Sequence, residues 1–147
     1  MTDKAATPAQ ATMFDVTAQG ALWLAQWFAP WVQALGLQVV SARGGEAMLR
    51  LPFADTLCRE GGSICGQALM SSADTAMVFA ISSLFGEFRP TTTVSQNISF
   101  LRPVTGGEVS VQARVLRPGR QLMFGEIELS GSDGRLVAHA TTTYAML

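Results

Sequence analysis

The sequence is short of the side chains that bind metals or form disulfides. Its 147 residues include one histidine, His139, and two cysteines, Cys58 and Cys65. So few ligands at that spacing exclude the usual zinc motifs, and two cysteines do not make a disulfide framework. We therefore expect no metal site, and a cytoplasmic protein in a reducing compartment.

Charge is scarce as well. Only 14% of the residues are charged, and the 10 basic side chains are balanced by 11 acidic ones. Without a basic excess, nucleic acid is not expected as a partner. Hydrophobic residues make up 48% of the chain, which suffices for the core of one domain. Low charge with high hydrophobicity also favours further burial in a homodimer or homotetramer.

No apolar run is long and unbroken enough to cross a bilayer. The stretch from Ala21 to Leu35 is the nearest, but Gln26 and Pro30 interrupt it, so we expect no membrane partner. Residues 1–13 are rich in Ala, Thr, Gln and Pro and predict a flexible leader before a single domain of residues 14–147.

Three tryptophans recur at every fourth residue in that stretch: Trp23, Trp27 and Trp31. This spacing predicts one aromatic stripe along an N-terminal helix. A helix docked on the core is the favoured interpretation, and a lid over an acyl pocket is the alternative.

A second apolar stretch carries the functional argument. The residues from Ser63 to Gly86 contain a single charge, Asp74, and no proline. The run predicts a helix buried on most of its circumference and ending near Gly86. An unpaired buried carboxylate costs several kcal/mol, so something must compensate it, and catalysis is one candidate.

Alternating polar and apolar residues predict six strands around this helix. They are Leu37–Ala42, Glu46–Pro52, Thr91–Arg102, Glu108–Arg117, Gln121–Ser130 and Arg135–Met146. One apolar helix with one sheet buries itself only if the sheet curls around it.

This arrangement resembles the hotdog fold, and in particular the PaaI-like (phenylacetate-type) acyl-CoA thioesterases. Three stretches carry the resemblance: Cys65–Ala76, Asn97–Pro103 and Asp133–Ala138. The resemblance implies an α+β protein in which an antiparallel sheet wraps one long central helix, here with an extra N-terminal helix. It also implies an acyl-CoA substrate, with coenzyme A as part of the substrate and no separate cofactor.

The resemblance also implies roles for particular residues. In the family, His-Gly-Gly begins the helix, and a carboxylate eight residues after the first glycine acts on the thioester. Here Gly66 and Asp74 match, whereas Cys65 replaces the histidine and Gln67 replaces the second glycine. A hydroxyl on the next strand matches Thr93.

Helix geometry adds a constraint of its own. Eight residues of α-helix separate Gly66 from Asp74 by about 12 Å along the axis. The two groups cannot easily serve one carbonyl from one chain. We therefore expect a site shared by two subunits, with helix-start N–H groups from one and Asp74 from the other.

Further side chains are candidates for substrate contacts. Ser71 lies on the same helical sector as Gln67 and Asp74, so the three predict a polar wall of a cleft. Asn97 is a candidate on the following strand. Two guanidinium groups at a predicted turn, Arg117 and Arg120, suit the phosphates of coenzyme A, although a solvated turn fits equally well.

Three functions remain open. The leading interpretation is a thioesterase with Asp74 as base or nucleophile. The alternative is a hotdog protein that binds acyl-CoA or acyl groups without hydrolysis, in which Asp74 bridges the dimer seam. A hotdog hydratase or dehydratase ranks lowest, because the helix has no histidine beside Asp74.

Overall fold

Strands make up most of the regular structure. The computed structural model describes residues 13–147, so the predicted leader lies, apart from Met13, outside the described residues. The strands are β1 (Gln38–Arg43), β2 (Glu46–Leu51), β3 (Thr91–Phe100), β4 (Val109–Pro118), β5 (Leu122–Ser130) and β6 (Leu136–Met146). The helices are α1 (Gly20–Trp27), α2 (Pro30–Gln33) and α3 (Gly66–Ser82), with short 3-10 turns at Thr17–Gln19 and Asp55–Leu57.

All six strands form one antiparallel sheet in the order β1-β2-β4-β5-β6-β3. Each predicted strand is present. Period-two alternation is the pattern of a sheet with one buried face, which is why it located the strands. The sheet wraps α3, and the predicted antiparallel sheet around one long central helix is confirmed.

Helix α3 is the centre of the core. Its apolar face packs mainly against β2, β4 and β5. Side chains from the inner face of the sheet, the face toward α3, close around it and are fully buried: Leu49, Leu51, Val109, Val111, Ile127 and Leu129.

The predicted end of α3 at Gly86 is wrong by four residues. The helix ends at Ser82, and Gly86 follows in a left-handed conformation with φ 73°. The Ser83 hydroxyl donates to the carbonyl oxygen of Ala80 at 2.7 Å and accepts from the amide of Gly45 at 2.8 Å. A serine that bonds backbone in this way competes with helical hydrogen bonding, and it ties the helix end to the β1–β2 turn.

The predicted extra N-terminal helix is present as α1, but the tryptophan spacing predicts one continuous helix through Trp31, and the structure divides it into α1 and α2. Phe28 has extended backbone, and α2 starts anew at Pro30. Proline cannot continue a helix, and it disfavours helical backbone in the residue before it. Trp23 is buried and stacks on Phe79 of α3 at 6.0 Å between ring centroids, so α1 is docked on the core.

Trp27 and Trp31 take no part in the stacking of Trp23 on Phe79. Trp27 stacks on Phe88 at 4.8 Å, but it remains 53% exposed, and Trp31 is 55% exposed. The aromatic stripe is therefore split between core and surface. Within residues 13–147, no helix has both the length and the apolar character to cross a membrane.

Gly125 of β5 is one point of close contact between the sheet and α3. A Cβ there would overlap Cε of Met77 and come within 2.9 Å of the carbonyl oxygen of Arg114. We expect Gly125→Ala to lower the free energy of unfolding by about 1–3 kcal/mol, the usual effect of overpacking a core. Urea denaturation measures it.

The matched control is Gly106→Ala, since nothing lies within 4 Å of a Cβ at that position. The control should stay within about 0.5 kcal/mol of the original chain. Equal stability of the two variants would contradict this account of the contact between α3 and the sheet.

Candidate active site

The carboxylate of Asp74 is bonded by hydroxyl groups from two strands. Thr93 Oγ1 on β3 donates to Oδ1 of Asp74 at 2.8 Å. The Tyr144 hydroxyl on β6 donates to the same Oδ1, and it also lies 3.0 Å from the backbone carbonyl oxygen of Asp74. Asp74 itself is half-buried, so one carboxylate on an apolar helix is held at the rim of the core.

Sequence reasoning missed Tyr144. Its side chain is 1% exposed, and burial raises the pKa of the phenol far above its usual range. The negative charge of Asp74 and the hydrogen bond to it raise the pKa further, so the phenol stays protonated. One signal was available: the only tyrosine of the chain falls on the inward side of β6, where the preceding inward residues Ala138, Ala140 and Thr142 are small.

The predicted polar stripe on α3 is present. Gln67 is exposed, while Ser71 and Asp74 are half-buried on the same sector. The opposite residues, Ala73 and Met77 among them, are buried. This stripe gives α3 one polar wall along its length.

The start of α3 is open to approach. Cys65 stands at the N-cap position and makes no side-chain capping bond, so the first turn has no side-chain partner among the described residues. The Phe100 ring lies over Gly66, 3.1 Å from where a Cβ would be. Beside it is a cleft of about 390 Å³ whose walls include Leu69 and Leu101. A side chain at Gly66 would crowd this approach.

Strand β3 runs alongside α3 and contacts it at three levels. Phe100 lies over Gly66, Gln96 Nε2 donates to the Met70 carbonyl oxygen at 3.1 Å, and Thr93 bonds Asp74. Within one chain Gly66 and Asp74 therefore lie toward opposite ends of β3. The structure does not bring them together around a single point.

Asn97 is not brought together with Asp74 either. Gln96 faces the helix, so its neighbour Asn97 points to the outer face of the sheet, where it is exposed. There it lies opposite Thr141 of β6.

The two arginines of the β4–β5 turn flank a pocket of about 570 Å³. Arg117 and Arg120 share it with Leu122 and Phe124, which alternate with buried Met123 and so face outward. Met123 pairs with Tyr144, which places the turn near the Asp74 end of the sheet. The pocket itself opens on the other side of the sheet from Asp74.

The histidine lies away from Asp74. His139 is on the outer face of the sheet, with Nε2 3.4 Å from Glu126 Oε2. A hydrogen bond from Arg114 holds the pKa of Glu126 below its usual range, and the bond from His139 adds to this. The described residues contain no group of three or more His, Cys, Asp or Glu side chains placed to hold a metal ion.

Comparison with known proteins bears on this site. The model of the thioesterase superfamily matches residues 61–138, more than half of the chain and the part that carries α3, β3, β4, β5 and the start of β6. A protein of Saccharolobus solfataricus that is named as an esterase is 28% identical over 77% of this chain and 80% of its own length.

Solved structures of other proteins also resemble this chain. A conserved protein of Pseudomonas aeruginosa is 38% identical, with a TM-score of 0.78 over 84% of this chain and 98% of its own. The phenylacetic acid degradation protein PaaI of Thermus thermophilus is 28% identical, with a TM-score of 0.72 over 81% and 100%. The PaaI protein of Escherichia coli, at 24% identity and a TM-score of 0.78 over 89% and 93%, shares the fold. The chain belongs to the thioesterase superfamily, as a PaaI-like hotdog protein.

Proposed function

We propose that this chain is an acyl-CoA thioesterase whose site is shared between two subunits. The observation that carries the proposal is the carboxylate of Asp74, fixed by Thr93 and Tyr144 on an otherwise apolar helix. Both hydroxyls donate to Oδ1, and no described residue donates to Oδ2. Oδ2 is therefore the oxygen available for chemistry.

The reaction needs a donor for the thioester carbonyl oxygen and a base or nucleophile at the carbonyl carbon. Uncapped N–H groups at Gly66 and Gln67 would stabilise the negative charge that develops on that oxygen. Asp74 would either take a proton from the attacking water or attack the carbon itself and be released by water. In both routes the carbon–sulfur bond breaks, and the products are a carboxylic acid and the thiol of coenzyme A.

The free edge of β3 supports a shared site. β3 is the last strand of the sheet and spans ten residues, most of them exposed. A long unpaired edge tends to pair with another strand, and a two-fold axis pairs it with its own copy. If the axis lies between Gln96 and Asn97, Thr93 faces Phe100 of the partner subunit. That register brings the Asp74 end of one chain to the helix start of the other.

Other residues suit the substrate. Ser71 and Gln67 line the polar wall that leads from the helix start to Asp74. Arg117 and Arg120 are our candidates to hold phosphates of coenzyme A. Since their pocket opens on the outer face, the coenzyme would have to pass the end of the sheet near Tyr144 for its thioester to reach Asp74. The coenzyme enters as part of the substrate, and the proposal requires no metal and no separate cofactor.

A non-catalytic acyl-CoA binding protein is the second candidate. The observation that favours it is Cys65, which stands in the place of the family's histidine and makes no capping bond. A thiol-release screen over short, medium, long and aryl acyl-CoAs separates the two functions, since binding without thiol release would support the second.

We expect Asp74→Asn to lower kcat by at least about 100-fold on the best substrate of that screen, because the variant lacks the base or nucleophile. The amide oxygen still accepts from Thr93 and Tyr144, so the fold should persist. The matched control is Asp133→Asn in the β5–β6 turn, which should keep its activity. Unchanged turnover in a folded Asp74→Asn protein would exclude Asp74 from the chemistry.

The assembly is open to direct measurement. We expect light scattering to give a dimer or a tetramer at micromolar concentration, because pairing covers the exposed edge of β3. A monomer under these conditions would refute both the pairing and the shared site.

Mixing two inactive proteins tests the sharing itself. Asp74→Asn lacks the carboxylate, and Gly66→Val crowds the helix start against the Phe100 ring. Exchange of subunits should rebuild one intact site per heterodimer and restore up to about half of one native dimer's activity, by two-fold symmetry. Proven exchange without recovery would mean that both groups act within one chain.

A further inference from the structure

We propose that Tyr144 is a positioning residue, which fixes Oδ1 of Asp74 and thereby presents Oδ2 to the substrate. The inference rests on the proposed function and deepens it, because it assigns the two oxygens of the carboxylate different tasks. Tyr144 never meets the substrate in this scheme and acts only through Asp74.

Strand register explains why the two donors converge. Thr93 and Tyr144 are directly opposite each other on β3 and β6, and both point to the inner face. Paired residues on one face of a sheet have Cβ atoms about 4.5–5.5 Å apart. Their hydroxyls therefore reach the same carboxylate oxygen, one from a short side chain and one from a long one.

Burial separates the roles of the two hydroxyls. Thr93 is exposed on the edge strand, where a substrate or a partner subunit reaches it. Tyr144 is 1% exposed, and its ring is enclosed by the core. Thr93 is thus a candidate for direct contact with the substrate, whereas the Tyr144 hydroxyl contacts Asp74 and Thr93 inside the core.

A phenol suits this task because it is rigid and stays protonated. A tyrosine side chain has two main torsions, so a packed ring fixes the position of the hydroxyl. Burial and the charge of Asp74 both raise the pKa of the phenol, which keeps the proton on the donor. That proton also lies close to the Asp74 carbonyl oxygen, so the same group fixes the backbone of α3 at this residue.

Among residues 13–147, no other titratable group faces this contact. Asp74 is the only ionisable residue of α3, and β3 has none. On the neighbouring strands, His139, Glu126 and Arg114 point to the outer face. A change at the Tyr144 hydroxyl when Asp74 is substituted therefore reports this contact.

The chain contains one tyrosine, so growth on 3-fluorotyrosine labels Tyr144 alone. We expect a single fluorine NMR resonance that lies at a different position in Asp74→Asn, because the substitution replaces the carboxylate that accepts the Tyr144 hydrogen bond. This measurement does not need a substrate. A resonance unmoved by Asp74→Asn would overturn the proposal whatever the activity of the protein.

Kinetics test the positioning role. Tyr144→Phe keeps the ring and removes the donor, so it should lower kcat about tenfold or more with little change in KM. Fluorotyrosine keeps the donor, so the labelled protein should keep its kcat.

The matched control is Thr142→Val, which removes another buried hydroxyl from the same face of β6, two residues away. It should leave kcat unchanged. An unchanged kcat in Tyr144→Phe, or an equal loss of kcat in Thr142→Val, would reduce Tyr144 to a structural contact. A protein that shows the fluorine shift but hydrolyses no thioester would refute the proposed function, and the positioning role with it.

Discussion

The structure depends on how one carboxylate is accommodated at the edge of an apolar core. Packing of α3 against the sheet is dominated by non-directional contacts, which tolerate rotation of the helix and movement along its axis. The hydrogen bonds from Thr93 and Tyr144 to Asp74 are directional, so they fix both the rotation of α3 and its position along its axis. They also offset the cost of burying the charge, since a hydrogen bond to a charged group contributes about 1.5–3 kcal/mol.

In the proposed mechanism, the same arrangement leaves the site of one chain incomplete. The start of α3 has uncapped N–H groups beside a cleft, and Asp74 has a free oxygen, but β3 holds the two at opposite ends. The sheet also ends at β3, with most of the strand exposed. One event, the pairing of β3 with its copy, would satisfy the strand edge and bring the two halves of the proposed site together.

The sequence was sufficient for the features that local patterns encode. Alternation located the strands, and a lone charge in an apolar helix pointed to Asp74. The break before Pro30 follows from the backbone chemistry of proline, which tryptophan spacing does not record. The contact of Tyr144 with Asp74 joins residues 70 positions apart, so the sequence carries only the indirect signal of a lone tyrosine on the inward side of β6. Asn97 faces outward because register shifts between Thr93 and Ser95, and such a shift reverses which residues face inward.

The most direct test of a shared site is a crystal structure with an acyl-CoA analogue in which a methylene replaces the sulfur. The analogue keeps the carbonyl group and cannot release a thiol. The account predicts a helix-start amide of one subunit within about 3 Å of the carbonyl oxygen, with Asp74 Oδ2 of the other subunit facing the carbonyl carbon. A ligand whose carbonyl is held by Asp74 and Gly66 of the same chain, or by neither, would contradict it.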